Sequence, residues 1–461
     1  MIEKLPVIAI FDIGKTNKKL FLLDEQYRIV FERTAKFTEI TDEDGDPCDS
    51  IESIRHSATE TLGELLHEGK YDIKAVNFAT YGASFVYIDA YGKVLTPLYN
   101  YLKAYPRELQ AKFYNDYGGE EKLSLETASP VLGSLNSGLQ LYRLKYEKPE
   151  IFKNLRYALH LPQYMSFVIG NFACSDLTSV GCHTHLWDFE KSEYHEWVHA
   201  ERLMGVLPHL YPADKVVSAD FMGYPLKVGT GLHDSSSALI PYLSTFKEPF
   251  ALLSTGTWCI TLNPFNEHPL TSGELKQDCL CYLSYTGKAV KASRLFAGNE
   301  HEVQTKRLAT HFRTAELYYR HIRFNPDFYK ELLQKSRNEE GETGIPALLQ
   351  KFGRRSLGDY NTYDEAYHQL IFDLVNALAV SSDLVLQNIP VKKLFVDGGF
   401  GNNPLFMQML ADALPGYEVF ASSVPQATAL GAAMAIHSHW NSQPIPSNLV
   451  ITKKYEPGTL P

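Results

Sequence analysis

Two aspartates and three glycine-bearing turns hold most of the groups in this chain that could do chemistry. Asp12 ends the apolar run VIAIF and is followed by Gly14, Lys15, Thr16 and Asn17. A turn of that composition offers backbone and side-chain donors to phosphate oxygens, and a carboxylate to a hydrated Mg²⁺. It is not a P-loop, because no G-x-x-x-x-G-K-[ST] run occurs, and a solvated hairpin turn is the plainer alternative. Asp234 follows His233 in VGTGLHDSSSAL, at what reads as a helix start. Facing a cleft, it would accept a substrate proton. As an N-cap its pKa would be depressed, so it would orient a hydroxyl rather than act as a strong base.

Ser254-Thr255-Gly256-Thr257 joins two further apolar runs, with hydroxyls where the first turn has a carboxylate. The third turn reads Asp397-Gly398-Gly399-Phe400-Gly401, then Asn402, Asn403 and Pro404. Asn403 suits an N-cap and Pro404 the first helical position. A strand, a glycine turn and a helix N-terminus present free N–H groups to a phosphate or nucleotide, although an ordinary βα corner has the same pattern. Thr80-Tyr81-Gly82-Ala83 closes another strand, at a ligand-facing position. Tyr99, Asn100, Tyr101 and Arg107 either face a sugar or pack half-buried. His183 and His185 invite a metal, but no third ligand is signalled, so hydrogen bonding is the expected role.

The elements that must hold these groups follow from periodicity. Residues 7–34 form an antiparallel meander: strands at 7–11, 19–23 and 29–32. A helix is predicted over 51–68, strands over 75–79 and 85–88, and helices over 136–146 and up to Gly170. The pattern restarts near residue 246, where FALLSTGTWCITLNPF repeats the strand–turn–strand of the N-terminus. A long amphipathic helix spans 364–389, strands cover 394–396 and 418–420, and a small-residue helix covers 426–435. The tail after Trp440 reads as irregular.

With 461 residues the chain exceeds a single core. A net charge of −10, from 44 basic and 54 acidic residues, leaves no basic field for nucleic acid or an anionic membrane. The six cysteines lack paired C-x-x-C spacing, and no leader or bilayer-spanning segment is expected, so a reducing cytoplasm is the natural setting. Oligomeric state is not legible; a homodimer is compatible with the sequence.

Taken in order, FDIGKTN, GLHDSSSAL, LSTGTW, DGGFGNNPLFMQMLAD and QATALGAA resemble the FGGY carbohydrate kinases of the ribonuclease-H/actin-like ATPase superfamily. NFATYGASFVYID and CSDLTSVGCHTHLWD are most similar to the rhamnulokinase and fuculokinase-like branch. The resemblance implies an α/β chain of two ribonuclease-H-like domains with a cleft between them: 1–245 binding sugar, 246–461 binding ATP. It implies Asp234 as catalytic residue, Asp12 as Mg²⁺ ligand, and Gly14, Lys15, Thr16, Asn17, Thr255, Gly256 and Thr257 at the phosphates. Gly398, Gly399, Asn402 and Asn403 would flank adenosine, with Thr80, Tyr81, Gly82, Ala83, His233 and Asp234 at the sugar. The reaction implied is transfer of the γ-phosphate of ATP to a ketose or deoxyketose of L-rhamnulose, L-fuculose or pentulose type. Two departures stand out. Lys15 adds a cation where relatives carry a small or hydroxyl residue, and LFAGNEHEVQTKR replaces a glycine-rich segment that helps shape the sugar pocket. The competing class is a non-catalytic sugar- and nucleotide-binding regulator of the same fold. A dinucleotide oxidoreductase fails, because no acidic ribose ligand follows the glycine turn at the required distance.

Overall fold

The computed structural model describes residues 4–15, 17–37, 39–338 and 344–458; Thr16 lies outside the described residues. Its centre is two seven-stranded sheets built on one plan. In the first, β1 (Leu5–Ile13) pairs antiparallel with β2 (Lys18–Asp24), which pairs with β3 (Ile29–Ala35). Helix α1 (Ile51–Glu68) crosses over to β4 (Tyr71–Thr80), which lies parallel to β1 on its other side. Helix α2 (Leu161–Gly170) packs on this sheet, and β5 (Val216–Phe221) and β6 (Tyr224–Gly229) extend it. The short β7 (Leu232–His233) pairs with the end of β4 and runs straight into α3 (Asp234–Thr245).

The second sheet repeats the hairpin and the parallel partner. β8 (Phe250–Thr255) pairs antiparallel with β9 (Cys259–Asn263), and β10 (Cys279–Leu283) and β11 (Ala289–Leu295) extend that side. After α4 (Ala297–Phe312) and α5 (Tyr363–Leu386), β12 (Lys393–Gly398) lies parallel to β8. Then follow α6 (Pro404–Ala413), β13 (Glu418–Ser423), α7 (Ala427–Ala435) and β14 (Ile451–Tyr455). The predicted meander, the 51–68 helix and the Asn403 cap are all present. Where the tail after Trp440 reads as irregular, it instead returns as β14, pairing antiparallel with β13. Its residues Ile451 to Lys454 are exposed, so no burial pattern marks it as a strand.

One apolar cluster joins the two sheets: Ile8, Ile10 and Ala75 from the first, Leu252 and Phe395 from the second, with Leu239 of α3 and Ala429, Ala432 and Ala433 of α7 between them. Glycine sets how closely α3 and α7 cross, since a Cβ on Gly431 would stand 1.8 Å from the Ser237 carbonyl oxygen. The buried Asn77 amide ties the halves further, donating to the Ala432 carbonyl at 2.9 Å and accepting from Gly231 N at 3.1 Å. Contrary to the expectation that no segment could span a bilayer, α5 is long and apolar enough. Yet 72% of its most apolar window is buried, in the core of the second half. All six cysteines are free and buried.

Candidate active site

Strand register brings the two aspartates together. On β4, Ala79 pairs with Asp12 of β1 on one side and Leu232 of β7 on the other, and Thr80 pairs with Ile13 and His233 in the same way. The two strands therefore end level, about 10 Å apart across β4. They end at the carboxyl edge of the sheet, where open α/β sheets form clefts. Asp12 is half-buried; burial, and then the charge of Asp234, raise its pKa to about 7, with Lys19 pulling the other way. Burial raises Asp234 to about 6, against hydrogen bonds to its Oδ1 from Ser235 N at 2.6 Å and Ser235 Oγ at 3.2 Å. Helix α3 corrects one expectation. His233 is the N-cap and Asp234 the first helical residue, so desolvation outweighs the helix start and leaves a better base than a capping aspartate.

Around Asp234, the sequence-predicted loop separates into parts. Gly82 lies so close to His233 that a Cβ would stand 2.9 Å from its Cδ2, so only glycine fits. Thr80 and Tyr81 are occupied: the Thr80 hydroxyl donates to the Tyr81 carbonyl at 2.9 Å, and the Tyr81 hydroxyl to Asp49 at 2.7 Å. Ala83 takes a positive φ of 59° and its carbonyl accepts from Gln140. Tyr101 lies edge-on to Tyr81 and near Asp234, whose charge adds to burial in raising its pKa. Tyr99 and Asn100 instead bond Glu43 and the Pro47 carbonyl, and Arg107 opens a helix.

The first turn is closed by Gly14 N donating to the Asn17 carbonyl at 2.9 Å, and Asn17 is exposed. Lys15 does not stand free as an extra cation for phosphate. Its Nζ is 2.9 Å from Asp49, which also holds Lys18 at 3.1 Å. Three donors, Lys15, Tyr81 and Lys18, outweigh burial and hold Asp49 below the ordinary carboxylate range.

In the second half, Ser254 and Thr255 of β8 pair with Asp397 and Gly398 of β12, so the hydroxyl turn and the glycine turn leave the sheet side by side. Thr255 joins them, its hydroxyl donating to the Asp397 carbonyl at 2.6 Å and accepting from Phe400 N at 3.1 Å. This hydroxyl is therefore taken up by the turn, where the resemblance implies a phosphate donor; Gly256 and Thr257 next to it are exposed. Gly398 has φ +93°, and a Cβ there would meet the Thr255 carbonyl oxygen at 2.0 Å. The Asn403 carboxamide caps α6 through Leu405 N and Phe406 N and donates to the Tyr367 hydroxyl. Asn402 donates to the Gly398 carbonyl. Between these turns lies a cavity of about 630 Å³, lined by Thr255, Gly256, Gly399, Asn402 and Asn403. Ile322, Phe400, Pro404, Gly298, His301, Tyr319, Arg320 and Arg323 complete its wall. Sequence reasoning missed the last five; the YYRHIRF run was the available signal for Tyr319, Arg320 and Arg323. The divergent 294–307 segment thus contributes Gly298 and His301 to this cavity.

The two histidines part company. His185 is hydrogen-bonded through both nitrogens, to Thr127 at 2.6 Å and Tyr114 at 3.1 Å, as expected. His183 turns toward His233 and Cys182, and one ligand atom from each of the three lies within 4.8 Å of the others. The expectation that no third ligand accompanies these histidines fails here, because the partner is His233, far away in sequence.

With this geometry in view, comparisons with known proteins are informative. The N-terminal domain of the FGGY family of carbohydrate kinases matches residues 7–240, and its C-terminal domain matches 247–325 and 364–438. A rhamnulokinase of Halalkalibacterium halodurans is 22% identical over 267 residues, 54% of each chain, so this chain spans about half of that relative. One of Mannheimia succiniciproducens is 21% identical over 92% of this chain and 88% of its own. A carbohydrate kinase from Novosphingobium aromaticivorans superposes with TM-score 0.78 at 19% identity, covering 99% of this chain and 95% of its own. A xylulose kinase from Lactobacillus acidophilus gives 0.77 at 15%, covering 98% and 94%; at such identities these two show the fold alone. With domain matches to both halves, the chain belongs to the FGGY family of carbohydrate kinases.

Proposed function

We propose that this protein transfers the γ-phosphate of ATP to a hydroxyl of a ketose or deoxyketose. L-rhamnulose, L-fuculose or a pentulose is the substrate class. The observation that carries this reading is the pair Asp12 and Asp234 at the level ends of β1 and β7, with an elevated pKa at each. The rhamnulokinases among the similar proteins support the acceptor class. We take residues 1–245 as the sugar domain and 246–461 as the ATP domain.

In this scheme Asp234 orients the attacking hydroxyl and takes its proton as the new bond forms. Gly82 lets His233 pack beside Asp234, and the sugar lies against that pair with Tyr101 covering it. Gly14, Asn17, Gly256 and Thr257 offer donors to the phosphates, while Gly399, Asn402 and Asn403 line the adenosine end, with Arg320 and Arg323 adding positive charge. The cavity there is within the range of a nucleotide-sized ligand. Asp12 fits a divalent cation. It is a half-buried carboxylate raised to about 7 beside a second carboxylate, an arrangement that a cation relieves. A Mg²⁺ ion held there would neutralise charge on the transferring phosphate.

The decisive experiment is coupled ADP detection with L-rhamnulose, L-fuculose, xylulose, ribulose, fructose and polyols, for wild type and Asp234→Asn. One ketose should drive turnover, and Asp234→Asn should lower kcat by about 10²-fold or more with ATP binding retained. No sugar-dependent ADP from any ketose would favour the regulator reading, and undiminished turnover in Asp234→Asn would remove that residue from the mechanism.

A further inference from the structure

We propose that Cys182, His183 and His233 form a binding site for a zinc-class divalent cation, and that its occupation silences Asp234. The second clause rests on the role of Asp234 proposed above; the first does not. Tetrahedral zinc takes sulfur at about 2.3 Å and imidazole nitrogen at about 2.0 Å, so its ligand atoms lie about 3.3–3.5 Å apart. Cys182 Sγ and His233 Nε2 are already 3.1 Å apart, and all three ligand atoms lie within 4.8 Å. A side-chain adjustment of about 1 Å closes the site, without moving the strands.

Both rings are oriented for ligation by what their other nitrogen touches. His183 Nδ1 is 3.1 Å from the Leu135 carbonyl, which accepts, so the proton sits on Nδ1 and the Nε2 lone pair is left over. The Ser236 hydroxyl gives its proton to the Leu283 carbonyl at 3.0 Å, so toward His233 Nδ1, at 3.4 Å, it accepts. His233 Nε2 faces Cys182 Sγ and Asp234 Oδ1, the latter at 3.2 Å; without a cation its N–H donates to Asp234, and ligation shifts that proton to Nδ1, where the Ser236 hydroxyl accepts it. Holding the far N–H of each ligating imidazole on an acceptor is how metal sites fix tautomer and direction.

Charge favours the same ligand class. Burial, and then the charge of Asp234, hold the Cys182 thiol protonated against the pull of Arg294, which is paired with Asp278 at 2.5 Å, so the cation itself must displace that proton on binding. Asp234 Oδ1, 3.2 Å from His233 Nε2, borders the three ligands and supplies the balancing negative charge once it turns toward the cation as a fourth ligand. One thiolate and two imidazoles select a borderline-soft ion over the hard Mg²⁺ suited to Asp12. Once Asp234 ligates a cation, its lone pair is no longer available to a substrate proton.

The test uses the full chain, stripped of metal and titrated with Co²⁺, then with Zn²⁺ as competitor. One equivalent of Co²⁺ should give a thiolate-to-cobalt charge-transfer band with a tetrahedral visible spectrum, abolished by Zn²⁺. The band should vanish in Cys182→Ser, weaken in His183→Gln and persist in Cys48→Ser, each checked for folding by circular dichroism. No band, or a band that survives Cys182→Ser, overturns the site. Zn²⁺ should inhibit sugar-dependent ADP formation, and Cys182→Ser should raise the half-inhibiting concentration by about a hundred-fold. Inhibition absent while the band is present overturns the link to Asp234. A band from a chain without kinase activity upholds the site and counts against the proposed reaction alone.

Discussion

At the scale of single residues, burial sets the charge states. With Asp234 at about 6, kcat/KM for the sugar should fall as pH drops through about 6, because the protonated carboxyl cannot accept the hydroxyl proton. Asp12→Asn should keep that acid limb in its residual activity; loss of the limb would mean that Asp234 does not set it. Asp176 is a second buried carboxylate, linked through the Thr178 hydroxyl to the backbone N–H of His233. It caps the short helical turn Leu177–Val180, its Oδ2 has no hydrogen-bond partner among the described residues, and burial raises it from 3.8 to about 7. A folded pKa above the unfolded one means the fold favours the protonated form. Stability is then highest below about pH 4 and declines as pH rises to about 7. Urea denaturation at pH 5 and pH 8 should show a smaller loss between the two for Asp176→Asn than for wild type. Equal losses would mean the carboxyl is not carrying the pH dependence.

At the scale of elements, the two turns of the second half depend on a single hydroxyl. Thr255→Val removes the acceptor for the buried Phe400 N and the donor to the Asp397 carbonyl. A cost of about 1–3 kcal/mol follows from stranding that amide, with KM for ATP rising and KM for the sugar little changed. Chemical denaturation and paired KM measurements check this; equal rises in both would mean the turn is not specific to the nucleotide side. Gly398→Ala should be worse, since φ +93° and the 2.0 Å approach to the Thr255 carbonyl oxygen both forbid a side chain. What was legible in the sequence follows the same division. The β1–β2 hairpin, α1 and the Asn403–Pro404 start of α6 rest on neighbours along the chain, so periodicity and capping rules reach them. The capture of Lys15 by Asp49 spans 34 residues and that of Cys182 by His233 spans 51, and no local pattern encodes either. Thr255 was recognised for its position, yet its hydroxyl's commitment to Asp397 depends on strand register between residues 142 apart. The exposed strand β14 escaped notice for want of any apolar alternation.

At the scale of the molecule, the two halves meet where α3 crosses α7, with the Asn77 amide alongside. Gly431→Val must force the helices apart, because even one Cβ would stand 1.8 Å from the Ser237 carbonyl oxygen. Overpacking of this kind costs about 1–3 kcal/mol. Because α3 carries Asp234 at its first residue, kcat should fall as well. Stability lost with kcat intact would show that the crossing packs the core without steering the aspartate. The same crossing has a mechanical consequence. A rigid rotation displaces each atom in proportion to its distance from the axis. If the halves turn about Gly431 and Ser237, parts far from the crossing sweep the longest arcs. Asp234, one helical turn from Ser237, and β7, which runs straight into that helix, travel little. Leverage of that sort would let the mouth gape for a sugar while Asp234 hardly shifts.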